Sequence, residues 1–257
     1  MNFTALSPDW QMTALSFLMM LPLWCFMKLV AFRGAPEAKN LAAMLSPYIS
    51  PAAVRQMLPL SAWPQTVRRF LVAGSVCICA CWLYWQLLRN LRPPIILRSY
   101  TGAIVVWLAS EAASSLLPFL ALPAGRLLPL FHGAPPPLAN GLADFWGRRW
   151  NVWVSEWFRQ IIFRPLQNRP VIALFAVFLT SGVLHELIIN VPLYIVTGRN
   201  FFGLMTLYFL LQAAGILIER QTHNRAARIF LVWLFVFGAV PLMINEGVLR
   251  ILHLWPE

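Results

Sequence analysis

Apolar runs of about twenty residues recur along this chain and constrain its fold more than any other feature. Hydrophobic residues make up 60% of the 257 positions and charged residues only 11%. A soluble domain carries roughly 25% charged residues. Because a helix satisfies its own backbone hydrogen bonds, such runs predict helices that span a membrane. The predicted spans are 11–32, 70–88, 97–120, 171–196, 201–218 and 229–252.

These runs predict an all-α, polytopic membrane protein in which one domain, 1–257, holds about 6–8 transmembrane helices. Interfacial or re-entrant helices are expected near 41–60 or 124–139. The segment "HGAPPPLANG" (His132–Gly141) is predicted to be non-helical, since successive prolines lack amide donors. No basic residue precedes the first run, so it is predicted to be a retained span. The expected location is multi-pass, in a bacterial inner membrane or the endoplasmic reticulum.

The net charge of +11 comes from cations that are scattered between the apolar runs. Nucleic-acid binding needs a clustered basic face and is therefore not expected. Fifteen of the 20 basic residues fall before 70, in 121–170 or between the last two runs. By the positive-inside rule, both termini are predicted outside and the long segments 33–69 and 121–170 in the cytoplasm. Membrane lipids are the expected partners of these cations.

The stretch "DFWGRRWNVW" (Asp144–Trp153) combines cations, an amide and aromatic rings in an apolar chain. If 144–163 is one helix, at about 100° per residue, it has an aromatic and a polar face. The aromatic face holds Trp146, Trp150, Trp153 and Trp157, and the polar face holds Arg148, Asn151, Ser155 and Arg159. One interpretation is an interfacial anchor. The other is a docking site where arginines meet a polyanionic ligand and Asn151 offers an amide N–H to a carbonyl.

The stretch "TSGVLHELIIN" (Thr180–Asn190) puts an ionisable residue, His185, deep inside a predicted span. Such residues are costly in a bilayer and usually functional. The small Ser181 and Gly182 allow another helix or a substrate to approach, and Ser181 is placed to hydrogen-bond the imidazole. His185 is therefore either a contact between helices or a general base. A catalytic triad is not indicated, since Glu186 projects about 100° away from His185.

No metal site is predicted. The other histidines, His132, His223 and His253, lie in loops or at a span end with no ligand spacing. The cysteines of "CICAC" do not converge on one face of a helix, and no histidine neighbours them. Glu219 is expected to form an ion pair or a cap. Glu246 is expected inside the last span, without an assigned role.

Together, "FWGRRWN" and "SGVLHEL" resemble the wax-synthase-like branch of the membrane-bound O-acyltransferases. The resemblance covers about 139–219, while the first 130 residues match only in apolar character. It implies transfer of an acyl group from acyl-CoA, as co-substrate and with no bound cofactor, to the hydroxyl of a lipid or small-molecule alcohol. His185 would be the general base, and Asn151 would orient the thioester carbonyl.

The same resemblance implies further substrate contacts around a tunnel between the helices. Trp146 and Trp150 would wall the acyl entrance, and Arg148 and Arg149 would meet donor phosphates. Two smaller contacts are expected at Ser181 and at Gln212, where many family members carry a histidine. Acyl transfer would be direct, because no activated Ser or Cys is evident.

Two other functions compete with this interpretation. A proton-coupled transporter or channel would use His185 as a proton relay, with Glu219 and Glu246 on its pathway. The sequence shows no inverted repeat of the kind that many transporters contain. A non-catalytic membrane scaffold is the third possibility. The resemblance favours the acyltransferase.

Overall fold

The computed structural model is helical throughout, apart from one isolated bridge between Leu58 and Leu127 in its described residues. This confirms the all-α prediction. The described residues are 6–40, 43–44, 49, 51, 58–91, 93–124, 127–133 and 135–255.

The first half of the chain forms long helices, and the second half forms shorter ones. The α-helices are α1 (Pro8–Phe32), α2 (Trp63–Leu91), α3 (Ile95–Leu116), α4 (Leu142–Asp144), α5 (Val152–Phe158), α6 (Pro170–His185), α7 (Val191–Thr197), α8 (Leu204–Arg220), α9 (Arg225–Val232), α10 (Val240–Met243) and α11 (Glu246–Ile251). Wider π-helical segments continue α4, α5, α6 and α9, at Phe145–Arg149, Arg159–Phe163, Glu186–Asn190 and Trp233–Phe237. Short 3-10 turns lie at Pro36–Lys39, Leu60–Ala62, Leu117–Ala124 and Pro136–Leu138.

Five helical stretches of the described chain are long and apolar enough to cross a membrane. They are Pro8–Phe32, Leu60–Leu88, Ile95–Phe119, Pro170–Thr197 and Arg225–Met243. Large apolar side chains such as Leu18 and Ile78 point outward, as expected for a surface that faces lipid. The protein is thus a multi-pass integral membrane protein. The predicted span 201–218 is α8, a helix of 17 residues that packs inside the bundle.

The last predicted span, 229–252, is wrong as a single helix. After the π segment the chain turns at Gly238, and Pro241 then opens the short α10. A second turn ends at Asn245, whose side-chain oxygen accepts from the amide of Gly247 at 2.9 Å and caps α11. Glu246 therefore begins a new helix and does not lie within a span.

The start of α1 and the last helix, α11, meet at one end of the bundle, where Glu246 is held by cations. Glu246 accepts from Arg250 Nε at 2.7 Å and is also paired with Arg199. Arg250 reaches across to Asp9 of α1, with 2.9 Å between Nη1 and Oδ1. The sequence assigned Arg199, Arg250 and both termini to one side, and Arg199 and Arg250 do lie together with Asp9 of α1. Which side faces the cytoplasm stays a prediction.

The re-entrant helix expected near 124–139 is not seen in its described residues. Most of 41–60 lies outside the described residues. In 124–139, the described residues form a loop and the 3-10 turn Pro136–Leu138, so no long helix exists there. That turn is the single helical feature of the predicted non-helical segment His132–Gly141, within its described residues.

Packing around α8 positions the functional motifs. Helix α6 lies along α8, and the crossing is close at Gly182, where an added Cβ would be 2.7 Å from the Cα of Thr206. The sequence predicted this role for a small residue. On its other sides, α8 contacts α4, α10 and the π segment after α9. Phe145, Phe178 and Phe209 belong to the core that these helices share.

Candidate active site

His185 ends α6 and presents one free ring nitrogen. Its Nδ1 lies 2.7 Å from the carbonyl oxygen of Ser181, one helical turn earlier. A carbonyl can only accept, so Nδ1 carries the proton and the neutral ring keeps Nε2 unprotonated. Nε2 has no hydrogen-bond partner among the described residues, and the side chain is partly accessible. Ser181 thus contacts His185 through its backbone, where the sequence suggested its hydroxyl.

Glu186, beside His185, fixes the next helix of the bundle. One carboxylate oxygen accepts from the amides of Gly203 and Thr206, at 3.0 and 3.1 Å, and so caps the start of α8. The other oxygen accepts from Asn190 at 2.6 Å. Glu186 therefore does not pair with the imidazole, in agreement with the expectation against a triad. Nothing in the sequence indicated this cap.

The face of α8 next to His185 carries an aromatic ring that two motifs share. The Phe209 ring lies 4.7 Å from the His185 ring and 5.7 Å from the Trp146 ring, measured between centroids. Trp146 also packs edge-on against Phe178 at 5.7 Å. The Phe209 ring thus contacts both Trp146 of the motif "FWGRRWN" and His185 of "SGVLHEL". The sequence alone did not establish this contact.

Gln212 holds the indole of Trp146 by a hydrogen bond. Its Oε1 accepts from Trp146 Nε1 at 3.3 Å, and its Nε2 donates to the carbonyls of Phe235 and Tyr208 at 2.6 and 3.3 Å. The side chain is fully buried. Both ends of the amide are thus occupied within the protein. Gln212 supports the wall residue Trp146, and its own contact with substrate stays a prediction.

The predicted continuous helix 144–163 is wrong. It breaks at Trp150, which is extended, and at Asn151, which has a left-handed backbone with φ 42°. The four tryptophans consequently do not share a face. Trp153 joins Leu128 in a separate cluster, while Trp157 donates to the carbonyl of Met27 on α1 at 2.8 Å. Asparagine allows the break because it tolerates this backbone region and caps helices well.

Asn151 is held at the break by its backbone and by one side-chain atom. Its Oδ1 accepts from the amide of Val154 at 3.2 Å, the usual bond of a helix N-cap. Its own amide donates to His132 Nδ1 at 3.3 Å. Among the described residues, the side-chain Nδ2 has no protein partner. The amide group that the sequence assigned to a substrate carbonyl is therefore unoccupied.

His132 is a site residue that the sequence analysis placed in a loop without a role. It is fully buried, and its ring lies 4.7 Å from that of Trp150. Nε2 is 2.9 Å from the hydroxyl of Ser110 on α3. Burial lowers the pKa of His132, with smaller opposing effects from Glu111 and the backbone of Arg149. Its sequence neighbours, a glycine and prolines, gave no signal of this.

The two arginines of the motif share one carboxylate but differ in exposure. Arg148 Nε and Arg149 Nε lie 2.9 and 2.7 Å from opposite oxygens of Asp144. Burial would raise the pKa of Asp144, but the Asn140 amide and the two guanidinium groups bring it below its usual value. The Arg148 side chain is 78% exposed and the Arg149 side chain 15%. Arg149 also donates to the carbonyl of Pro135, so Arg148 is the more available cation.

Glu219 forms the expected ion pair and cap at the far end of α8. It lies 2.6 Å from Arg228 Nη2 and accepts from the amide of Ala143 at 3.0 Å. A cleft of about 290 Å³ beside this pair is lined by Arg220 and His223, among others. The pairing confirms the structural role expected for Glu219.

The site residues thus form two groups that one short helix connects. His185, Ser181, Trp146 and Gln212 lie around Phe209, while Trp150 and Asn151 lie around His132. The hydroxyl of Ser155, on α5, donates to the carbonyl of Trp146 at 2.6 Å. The helix that Asn151 caps is therefore tied to the tryptophan beside the histidine.

Comparison with known proteins identifies the segment that carries these groups. The sequence profile of the membrane bound O-acyl transferase family matches residues 128–211. The probable long-chain-alcohol O-fatty-acyltransferase 7 of Arabidopsis thaliana is 33% identical over 130 residues, which cover 44% of this chain and 37% of that protein.

Two relatives of other names also match. Diacylglycerol O-acyltransferase 1 of Dictyostelium discoideum is 28% identical over 109 residues, covering 41% of this chain and 17% of that protein. Acyl-CoA–sterol O-acyltransferase 1 of Arabidopsis thaliana is 39% identical over 62 residues, covering 21% and 18%. The matched region of the first plant relative is little more than a third of its length. Residues 128–211, which hold both motifs, are thus similar to the membrane bound O-acyl transferase family.

Proposed function

We propose that this protein is a membrane-embedded O-acyltransferase that moves an acyl group from acyl-CoA to the hydroxyl of an alcohol. The observation that carries the proposal is the arrangement of His185. Its Nδ1 proton is directed at the Ser181 carbonyl, and Nε2 is left without a protein partner in the described chain. A neutral imidazole with a free nitrogen suits general-base catalysis near neutral pH.

In this mechanism, Nε2 of His185 takes the proton of the acceptor hydroxyl as its oxygen attacks the thioester carbonyl. The carbon–sulfur bond then breaks, and the imidazolium returns the proton to the leaving thiolate. The products are an ester and free CoA, and the histidine ends as it began. No acyl-enzyme is needed, because alcohol and thioester react directly.

Asn151 is the proposed partner of the carbonyl. Its Oδ1 is used by the helix cap, so its Nδ2 is the atom left to donate to the thioester oxygen. A fixed donor of this kind stabilises the negative charge that develops on the oxygen. Because the cap fixes the side chain before substrate arrives, no reorganisation is required during the reaction.

The remaining predicted contacts divide between the two parts of the donor. Arg148 is the proposed contact for a donor phosphate, because its guanidinium is largely exposed. Trp146 and Trp150 are the proposed walls of the acyl passage, and Ser181 is a small neighbour of the reacting centre. Arg149 binds Asp144, the carboxylate that also pairs with Arg148, and Gln212 hydrogen-bonds the indole of Trp146. A passage closed to water would suppress hydrolysis of the thioester.

The acceptor is proposed to be a lipid alcohol or a small-molecule alcohol. The names of the relatives include long-chain alcohols, diacylglycerol and sterols, all of which carry a hydroxyl group. A lipid acceptor would reach His185 from the bilayer, while the anionic donor would come from the aqueous side.

The test is a comparison of lipid and metabolite profiles from cells that express wild type or His185→Ala at matched membrane abundance. Several alcohols are supplied. An ester present only with wild type supports the proposal, and its mass identifies the acyl and alcohol parts. Identical profiles, together with His185-dependent proton flux in liposomes, would instead support the transporter interpretation.

A further inference from the structure

We propose that His132 is a positioning residue that holds Asn151 in its left-handed conformation and so directs the Asn151 side chain. The hydrogen bond between the two residues is a feature of the structure. Only its consequence for catalysis rests on the proposed function.

His132 is fixed on three sides within a buried pocket. Its amide donates to the hydroxyl of Ser114 at 3.2 Å, and its Nε2 meets the hydroxyl of Ser110 at 2.9 Å. The ring lies between Phe131, at 4.8 Å, and Trp150, at 4.7 Å. Helix α3 thereby determines where Nδ1 points, and Nδ1 points at the amide of Asn151.

The hydrogen bonds assign the tautomer of His132. The backbone N–H of Asn151 can only donate, so Nδ1 must be the unprotonated acceptor. Nε2 then carries the proton and donates to Ser110, whose own hydroxyl proton goes to the carbonyl of Trp107 at 2.7 Å. Each donor in this series has an acceptor. If Nδ1 were protonated, its N–H would face the N–H of Asn151, and the hydrogen bond between the two residues would be lost.

The chain on either side of His132 pairs with the chain on either side of Asn151. The amide of Gly133 donates to the carbonyl of Arg149 at 3.2 Å, and the amide of Val152 donates to the carbonyl of Phe131 at 3.0 Å. Gly133 must be glycine, since an added Cβ would lie 2.3 Å from the carbonyl oxygen of Arg148. Between these two bonds, the amide of Asn151 lies at a bend and has no partner in its own helix. It donates to His132 Nδ1 instead.

A left-handed backbone is unfavourable for a residue with a side chain and persists only where surrounding contacts hold it. At Asn151 these contacts are the amide bond to His132 and the cap bond to Val154. Loss of the first would free the backbone of Asn151. The direction of Nδ2 would then no longer be fixed, although every group that touches substrate would still be present.

The experiment compares hydrogen–deuterium exchange and steady-state kinetics of the full-length protein in nanodiscs. His132→Leu removes the acceptor, whereas His132→Asn keeps an oxygen near the position of Nδ1. Ser110→Ala removes the partner of Nε2. Ser115→Ala is the matched control, because Ser115 is a buried serine of the same helix whose hydroxyl bonds the Glu111 carbonyl within that helix.

In His132→Leu, we expect amides of 149–154 to exchange up to about tenfold faster, the effect of one net hydrogen bond. We expect kcat to fall about tenfold with an unchanged KM for the donor, and His132→Asn to recover most of both losses. Combined with Asn151→Ala, the His132→Leu change should cost no further activity, because both act through one group. The charged groups that act on His132 are Glu111 and Arg69, and their substitution should not speed this exchange.

Unchanged exchange at 149–154 in both His132→Leu and Ser110→Ala would overturn the proposal, as would an additive loss in the double variant. If His132→Leu does not fold, exchange at the same amides in Ser110→Ala and His132→Asn still tests the proposal. A wild type that makes no ester contradicts the proposed function. The exchange result tests the role of His132 in either case.

Discussion

Two histidines, the fully buried His132 and the partly accessible His185, lie on either side of the central motif and differ in which ring nitrogens are engaged. His132 uses both nitrogens, one for Ser110 and one for the amide of Asn151. His185 uses only Nδ1, on the carbonyl of Ser181. A ring with both nitrogens engaged can hold a neighbour in place, while one with a free nitrogen can also exchange a proton with substrate.

The largest expected effect is at His185. Because general-base catalysis contributes about 10²–10⁴-fold, His185→Ala should lower kcat by that factor while donor binding persists. The measurement is ester formation by purified protein, with melting temperature as the check on folding. His253→Asn is the control, since the His253 ring packs against Trp10 of α1, outside both groups of site residues. Comparable turnover in His185→Ala would remove the distinction between the two histidines.

Asn151→Asp separates the two roles of the asparagine. The carboxylate oxygen still caps α5, but the N–H donor is lost. We expect kcat to fall by about 10²–10³-fold, as when one oxyanion donor is removed. The melting temperature should stay within about 2 °C of wild type, since the cap is retained. An active Asn151→Asp protein would show that Nδ2 does not serve the reaction.

The two arginines on Asp144 should respond differently to truncation. Arg148→Ala should raise KM for the donor severalfold, in a salt-dependent way, because an exposed cation acts through screened attraction. Arg149→Ala should instead lower the free energy of unfolding by about 1–3 kcal/mol, through the loss of charged hydrogen bonds. Donor titrations at two salt concentrations and denaturation curves measure these changes. The same defect in both variants would contradict the difference in exposure.

The smallest expected effect is the pH dependence that His132 gives to folding. Its pKa is lowered in the folded protein, so the unfolded chain binds more protons below its ordinary pKa of about 6.5. Stability from the neutral ring is therefore complete above that pH and decreases as the pH falls toward the folded pKa. Melting curves from pH 5 to 8 should show a shallower acid decline in His132→Asn than in wild type. Parallel curves would mean that His132 protonates equally in both states.

The sequence was most informative at positions where the type of residue allows few structural explanations. A histidine inside an apolar run is costly, so a functional role for His185 was predicted before any contact was known, and that role stays a prediction. Gly182 was likewise recognised as a point of close approach, and Glu219 as an ion pair. Each of these inferences depends on local chemistry within a helix, which spacing along the chain describes well.

The sequence misled where tertiary contacts override helical periodicity. Residues 144–163 repeat as one amphipathic helix, yet the chain breaks at Asn151, because His132 and Phe131 bind the amides at the bend. The last apolar run breaks in the same way, at Asn245. An asparagine within an apolar run was the available signal in both places, since its side chain can cap a new helix.

By itself, the sequence determined an all-α membrane protein and singled out two motifs and a histidine within a span. These follow from hydrophobic runs and from the cost of an ionisable group in a bilayer. Only the tertiary structure decided that both ring nitrogens of His132 are engaged and which ring joins the two motifs. It also determined that Glu246 belongs to a cluster of ion pairs. Those facts depend on contacts between residues far apart in the chain, and no local period encodes them.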